Sequence, residues 1–252
     1  DNVAQVTASD QFDPDSEPDN GADSTPGGGI GSEDPDGTQD ASDEDDGDDA
    51  VVMPIYRDFG DLPDDGLAGT GAGDYLTNLA NGGPSHNIIP ELQIGATIDN
   101  ESDGQPNANA DGDDTSGDDE DGVDFTNVTF QAGNTVNIPV VVTNNTGNDA
   151  TLYAFVDWNN DGDFGDTGEG VTLTVPANSG TTTVLAEFTI PSETDGTNIN
   201  STVGARFRLT TDTLTGNTWE GAATDGEVED YLITISCPTG NCLDVDITTT
   251  KN

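Results

Sequence analysis

Polar and apolar residues alternate regularly along the second half of the chain. Clusters of Asn, Asp, Gly and Pro separate the alternating runs, as turns separate strands, and no helical period interrupts them. Seven short strands at this spacing predict an all-β fold, an antiparallel β-sandwich of the Ig-like or jelly-roll-like kind. The seven runs are 124–131, 134–144, 150–158, 170–176, 181–191, 202–211 and 228–236.

The first half carries fewer strand signals. Residues 1–9 alternate like one strand, whereas 10–49 contain almost no bulky apolar side chain and have the composition of a disordered segment. Further along, the pattern predicts a helical turn over Tyr75–Leu79 and a strand over Leu92–Ile98. We therefore expect four parts: a strand with an extended acidic arm at 1–50, a loop-rich acidic calcium-binding segment at 51–121 that packs on the sandwich, the sandwich itself at 122–236, and a disulfide loop with a strand at 237–252.

The net charge of the chain argues against two classes of binding partner. The 252 residues include 51 Asp and Glu but only four Lys and Arg, which gives a formal net charge of -47. Nucleic acids and anionic lipids repel such a polyanion. No apolar run approaches the length of a membrane span. We therefore expect neither nucleic-acid binding nor membrane insertion.

The two cysteines stand close together in the sequence CPTGNC. Cys237 and Cys242 suit a short disulfide loop, which is typical of an oxidising compartment. The same spacing would also suit half of a zinc site, but the sequence has no second Cys or His pair to complete one. We predict the disulfide, and with it an oxidising compartment.

The acidic residues are grouped, and Gly and Asn punctuate the groups as they do in Ca²⁺-binding loops. The clearest group begins at the end of the run 150–158. Its oxygen-bearing side chains alternate before and after Gly162 as in the first half of an EF-hand loop, although Gly168 replaces the glutamate that closes such a loop. The alternative is a polar turn that binds nothing. The predicted ligands are Asp157, Asn159, Asp161 and Asp163, with Asp166 and Glu169 as nearby additions.

Two further acidic groups have similar punctuation, so we expect several Ca²⁺ ions in all. In the first, between 99 and 124, the candidate ligands for two or more ions are Asp99, Glu101, Asp103, Asp111, Asp113, Asp114, Asp118, Asp119, Glu120 and Asp121. In the second, the sequence DGEVED, they are Asp225, Glu227, Glu229 and Asp230.

The same two groups also fit arrangements that bind no ion. Strand alternation places Glu227 and Glu229 on one face, where carboxylates repel each other unless a cation joins them. The acids of DGEVED would instead form an exposed acidic edge, or pair with Arg206 and Arg208, which also share a face. The group between 99 and 124 would otherwise be a solvated loop.

The sequence gives little support to catalysis. His86 is the only histidine, and its neighbour Ser85 lies in no nucleophile-elbow motif. Pairs of carboxylates can hydrolyse glycosides, but in a chain with this many acids two of them lie near each other by chance, so such pairs do not indicate an active site. Trp158 and Trp219 would suit sugar stacking, although positions in the sandwich core or at its rim account for them more simply. We expect the protein not to be an enzyme.

One segment resembles a known family. The sequence DGEVEDYLITI (225–235), preceded by WNNDGDF (158–164) and GARFRLT (204–210), resembles the GEVED domain of large secreted bacterial surface proteins. The acidic segment upstream resembles the one that commonly precedes this domain, and residues 1–16 resemble the closing strand of Ig-like repeats in the same proteins. The resemblance implies an extracellular, calcium-dependent, β-rich module with a structural or adhesive role, and it leaves the ligand open.

A closing strand without its repeat suggests assembly. We expect a secreted, calcium-stabilised filament or matrix subunit that self-associates when this strand adds to a neighbouring copy. The alternative is a calcium-dependent adhesin or lectin-like module with a cell-surface or glycan ligand. The residues predicted for the assembly strand are Val3, Ala4, Gln5, Val6, Thr7 and Ala8.

Overall fold

The computed structural model describes residues 2–5, 47–50, 55–65, 73–112, 119–192 and 202–235. The chain forms two compact units, Asp1–Pro54 and Ile55–Asn252. In the first unit, strand β1 (Asn2–Gln5) pairs antiparallel with β2 (Gly47–Ala50). Residues 3–5 of the predicted assembly strand lie in β1. Its residues 6–8 lie outside the described ranges.

The second unit is built from strands, and its only described helical element is the 3₁₀ turn Leu79–Asn81. This turn shares only Leu79 with the helical turn predicted over Tyr75–Leu79, so the prediction is wrong for residues 75–78, which are not helical. The strands are β3 (Arg57–Phe59), β4 (Ser85–Asn87), β5 (Leu92–Ile94), β6 (Thr135–Asn144), β7 (Ala150–Val156), β8 (Gly170–Val175), β9 (Gly180–Thr189), β10 (Thr202–Thr210), β11 (Ala222–Ala223) and β12 (Glu227–Thr234).

Two antiparallel sheets pack face to face. One has the strand order β12-β10-β7-β8 and the other β5-β6-β9. The alternating apolar residues of both sheets meet in one core, which includes Trp158, Phe188 and Phe207. The prediction of an all-β antiparallel sandwich is therefore confirmed. Because Trp158 has no exposed surface, it offers no platform for a sugar.

Six of the seven predicted runs form strands of the sandwich, and the first does not. Around 124–131 the chain forms isolated bridges at its two ends, at Val123, which pairs with Val140, and at Gln131, and no described strand lies between them. The Asp124 carboxylate accepts a hydrogen bond from the Thr126 amide at 2.8 Å, and the Val128 amide bonds back to Phe125, so the chain turns here. The seventh sandwich strand is instead β5, which is shorter than predicted because the chain turns at Gly95, where φ is +67°.

A third, smaller sheet covers the outer face of β10 and β12. Its strand order is β11-β4-β3, with β4 antiparallel to β3 and parallel to β11. As a result β10 is buried on both faces, and Arg206 and Arg208 are completely buried beneath this layer. Residues from 55 to 121 thus belong to the same compact unit as the sandwich. The predicted Cys237–Cys242 disulfide and C-terminal strand lie outside the described residues.

Candidate functional site

The loop between β7 and β8 gathers the predicted EF-hand-like residues. It spans residues 157 to 169 and turns sharply, because Asn160, Gly162 and Gly168 adopt left-handed backbone conformations with φ of 55°, 90° and 95°. Glycine reaches this region without steric cost, and Asn reaches it more readily than most residues. The six candidate side chains therefore sit on one tight loop at the end of the sandwich.

Two buried carboxylates anchor this loop. Asp157 accepts hydrogen bonds from the Tyr75 hydroxyl at 2.8 Å and from the amides of Gly162 and Asp161 at 3.0 and 3.2 Å. Glu169 accepts the amides of Trp158 and Asp166, both at 3.0 Å. Asp157 has no exposed surface and Glu169 has 2%. Charged groups rarely lie so deep without compensation.

An amide group sits between two other carboxylates of the loop. The Asn159 side-chain nitrogen donates to Asp161 at 2.9 Å and to Asp166 at 2.8 Å, while its oxygen accepts the Asp161 amide. The position between these carboxylates is therefore one that favours a positive group. Rotation of the side-chain amide would present the Asn159 oxygen there instead, and oxygen is the ligand that Ca²⁺ prefers.

The acids of the loop repel one another. Burial, together with the negative charges of Asp157, Asp166 and Asp161, raises the pKa of Glu169 to about 8. Burial, with a smaller repulsion from Asp161, raises the pKa of Asp157 to about 6, against the hydrogen bonds that it accepts. The folded loop thus holds protons that the same side chains would lose in water. A divalent cation would replace those protons and relieve the repulsion.

Within the described ranges, no three Asp, Glu, His or Cys side chains are already arranged to hold a metal ion. In the loop, the hydrogen bonds of Asn159 hold the place that an ion would take. An ion would therefore have to displace this amide hydrogen bonding and draw the carboxylates inward.

The DGEVED sequence forms a clamp at the edge of the sandwich. Gly226 has φ of 93°, and a β-carbon there would lie 1.7 Å from the Leu209 carbonyl oxygen, so only glycine fits. Glu229 accepts the amides of Gly122 and Asp121 at 2.9 and 3.1 Å and the Tyr231 hydroxyl at 3.0 Å. Glu227 accepts the amide of Ile94, in β5. These two glutamates stabilise the contact of β12 with β5 and with the loop before β6.

Asp230 is paired with arginine, the alternative that the sequence left open. Its two carboxylate oxygens accept the Arg206 Nε and Nη2 atoms at 2.7 and 2.8 Å, and both side chains are fully buried. One oxygen also accepts the amides of Asp61 and Leu62 at 3.0 Å. Because these donors engage both oxygens, we remove Asp230 from the set of calcium ligands.

Asp225 and His86 also form structural contacts. The Asp225 carboxylate accepts hydrogen bonds from the hydroxyls of Thr210 and Thr211 and from the Thr211 amide, which fixes the turn before β12. His86 is fully buried, with Nε2 3.0 Å from Arg208 Nε and Nδ1 2.8 Å from the Asp225 carbonyl oxygen. Arg208 must be the donor, so the imidazole is neutral with its proton on Nδ1. Burial and the nearby arginines lower the pKa of His86.

The acids between 99 and 121 are distributed over several local contacts. Asp121 accepts the Ala96 amide, and Asp103 accepts the amides of Leu79 and Gly104. Asp119 accepts the Asp99 amide, Glu101 accepts the Phe59 amide, and Asp111 accepts the Asn107 side chain. Glu120 is partly buried beside them, whereas Asp113, Asp114 and Asp118 lie outside the described residues. The structure therefore does not gather the described acids into the predicted ion cages.

Sequence reasoning missed several buried polar residues upstream. The Tyr75 hydroxyl donates to Asp157 and accepts the Gly204 amide, so it joins the 157–169 loop to β10. Asp58 accepts the Val228 amide at 2.6 Å, and Asp64 accepts the amides of Thr77 and Asn78. The only sequence signal for these buried acids is the density of Asp in RDFGDLPDD, and an exposed turn would have the same composition.

Residues 151–234 match the model of the GEVED domain family. The match runs from β7 to β12 and includes both the 157–169 loop and the clamp. No curated protein matches the chain. No helix in the described ranges is both long and apolar enough to span a membrane. The portion of the sandwich from β7 to β12 therefore fits a GEVED domain, whose eponymous residues form the clamp.

Proposed function

We propose that the chain is a non-enzymatic, extracellular structural module whose fold is stabilised by Ca²⁺ in the loop between β7 and β8. The observation that carries this proposal is the Asn159 amide, which bridges Asp161 and Asp166 above the two buried carboxylates of Asp157 and Glu169. The loop offers carboxylate and amide oxygens and no nitrogen or sulfur ligand, which suits a hard cation such as Ca²⁺.

Calcium should raise the melting temperature of the full chain, and the loop should account for most of the rise. At a Ca²⁺ concentration of ~100 times Kd, binding adds about 2.7 kcal/mol, equivalent to roughly 5–10 °C for a domain of this size. Asp161→Asn should abolish most of this shift. Asp124→Asn is the matched control, since Asp124 is exposed and lies outside the loop. Melting followed by circular dichroism, with chelator and with Ca²⁺, measures both effects. An equal shift in Asp161→Asn would contradict the proposal.

We further propose that the module assembles into a filament or matrix through its strands. Strand β9 is ten residues long, ends the sheet β5-β6-β9, and has no described strand on its other side. In a chain with 51 acids, the segment 171–191 contains a single one, Glu187. Leu185, midway along β9, is 54% exposed. Long edge strands with little charge are templates for pairing with another chain, and two polyanions can approach most closely where charge is sparse.

The residues around β1 suit this edge in composition, because 2–9 carry no charge. In the structure β1 pairs with β2 of its own chain. A two-stranded ribbon is only marginally stable in water, so the exchange of β1 onto the edge of a second copy would cost little. Head-to-tail addition of this kind produces open filaments.

Deletion of residues 1–9 is expected to prevent assembly and leave a folded monomer. Deleting nine residues from the acidic stretch 10–49 controls for chain length, and this variant should still assemble. Light scattering and electron microscopy in Ca²⁺ report the assembly, while the melting curve reports the fold. Assembly at the original rate and extent after removal of 1–9 would refute the strand-exchange mechanism but not the calcium loop.

A further inference from the structure

The Tyr75 side chain connects the loop between β7 and β8 to a distant part of the chain. Its hydroxyl donates a hydrogen bond to Asp157 at 2.8 Å and lies 3.3 Å from the side-chain oxygen of Asn160. Its ring stacks on that of Phe164, with 5.3 Å between the ring centroids. A single side chain from outside the loop thus contacts its first residue and two residues further along.

The position of Tyr75 is itself fixed by the sandwich. Its hydroxyl accepts the amide of Gly204, in β10, at 3.1 Å. Glycine permits this approach, because a β-carbon at position 204 would lie 2.6 Å from the Tyr75 ring. The guanidinium of Arg206 holds the next two residues, by donating to the Leu76 carbonyl and to the Thr77 hydroxyl. The fold therefore places the Tyr75 hydroxyl before any ligand reaches the loop.

Tyr75 shares an oxygen atom with the turn of the loop. Asp157 Oδ2 accepts both the Tyr75 hydroxyl and the Gly162 amide, while Oδ1 accepts the Asp161 amide. Hydrogen bonds to an ionised carboxylate are stronger than those between neutral groups. Of these three donors, the hydroxyl is the one that comes from outside the loop. It therefore ties the orientation of the Asp157 carboxylate to the rest of the fold.

We propose that Tyr75 is a positioning residue of the 157–169 loop, whose hydroxyl fixes the Asp157 carboxylate where a ligand of the loop would meet it. The loop and the segment that carries Tyr75 then form one functional unit, although the residues that match the GEVED family begin only at 151. Groups that orient a metal ligand by a hydrogen bond typically contribute about 10–100-fold to the affinity for the ion. This consequence for calcium rests on the proposed function, whereas the positioning of Asp157 can be measured without an ion.

The test compares two Tyr→Phe variants of the full chain. Tyr75→Phe removes the hydroxyl and keeps the ring that stacks on Phe164. Tyr153→Phe is the matched control, since Tyr153 belongs to the same buried cluster and its hydroxyl accepts the amide of Leu214, outside the loop. Without calcium, hydrogen exchange of the Gly162 amide, measured against amides in β6, should become about tenfold faster in Tyr75→Phe and stay unchanged in the control. Isothermal titration with Ca²⁺ should give a Kd that is about tenfold higher or more in Tyr75→Phe alone.

The two measurements separate this inference from the proposed function. If the Gly162 amide exchanges at the wild-type rate in Tyr75→Phe, Tyr75 does not position Asp157 and the inference is wrong. An equal acceleration in Tyr153→Phe would also overturn it, because the effect would then come from a loosened cluster. Faster exchange with an unchanged Kd would show that the loop and the segment of Tyr75 are not one functional unit. If the wild-type chain binds no Ca²⁺ while Tyr75→Phe alone speeds up the exchange, the proposed function fails and the positioning role stands.

Discussion

Replacement of Arg206 by Leu is expected to lower the free energy of unfolding by about 3–5 kcal/mol, the usual cost of breaking a buried ion pair by removal of one partner. Arg206 makes two hydrogen bonds with Asp230, at 2.7 and 2.8 Å, and three more with Leu76, Trp219 and Thr77. The substitution leaves the Asp230 carboxylate buried with only backbone donors from Asp61 and Leu62. It also removes donors from the part-buried carbonyl groups of Leu76 and Trp219.

Urea unfolding at a fixed Ca²⁺ concentration measures this loss. Arg57→Leu is the matched control, because Arg57 is partly exposed on β3 and makes no described side-chain ion pair. Its effect should stay within about 0.5 kcal/mol, as for most surface substitutions. A loss below about 1 kcal/mol for Arg206→Leu would contradict the assignment of this pair as a main stabilising contact of the GEVED-like region.

The pattern of polar and apolar residues predicts most strands of the sandwich, and it fails in one run. The alternation of polar and apolar residues predicts β6 to β10 and β12 because one face of each strand packs against the core. The run 124–131 has similar alternation, but the Asp124 side chain captures a neighbouring amide and makes a turn. Local side-chain hydrogen bonds of Asp compete with strand pairing, and a pattern of hydropathy does not register them.

The roles of the acidic side chains are harder to predict than the strands, because backbone amides and cations bind the same carboxylate oxygens. In the 157–169 loop, the described amide donors come from the loop itself and only the Tyr75 hydroxyl comes from elsewhere, so the spacing of the oxygens carries information about the site. In the clamp, Glu229 and Asp230 accept, besides the Tyr231 hydroxyl and the Arg206 side chain, amides more than one hundred positions away. The sequence shows the acceptors and gives no sign of these distant donors.

The buried upstream residues illustrate the same limit. Asp58 and Tyr75 lie in segments with weak strand patterning, and nothing local marks them as buried. Asp58 is buried because it lies on β3 of the third sheet, where it accepts the Val228 amide of β12. Tyr75, in contrast, is buried in a cluster with Leu62, Phe155 and Phe164. Two arginines on one strand face indicated that this face meets acids, and the structure shows that Arg206 does so through Asp230.

The stability of the chain should depend on pH in a way that Ca²⁺ changes. The pKa of Glu169 is raised to about 8 in the folded state, mainly by burial, and that of Glu229 is raised to about 8 for the same principal reason. In the unfolded chain both groups would ionise near their ordinary value of 4.5. Between these values the folded state binds more protons than the unfolded state. Without calcium, stability should therefore fall as the pH rises from about 4.5 to 8.

The window from pH 6.5 to 8 separates the buried glutamates from the histidine. His86 has a lowered pKa, so its own contribution is lost only as the pH falls below about 6.5, the ordinary value of a histidine. In this window, the calcium-free chain should release protons on unfolding from Glu169 and Glu229. Glu227 should contribute as well, because burial and the charges of Asp58 and Glu229 raise the pKa of Glu227 well above its ordinary value. With Ca²⁺ in the loop, Glu169 is deprotonated in both states, and the release should drop by up to one proton.

Unfolding free energies from urea titrations at several pH values, with and without Ca²⁺, give the proton release as the slope of stability against pH. Glu169→Gln should show the shallower slope in both conditions, because the group that responds to the ion has gone. Glu229→Gln keeps an oxygen acceptor for the Gly122 amide and should retain the difference between the two conditions. If Ca²⁺ leaves the wild-type slope unchanged, Glu169 is not a ligand and the buried carboxylates of the loop are held by protons alone.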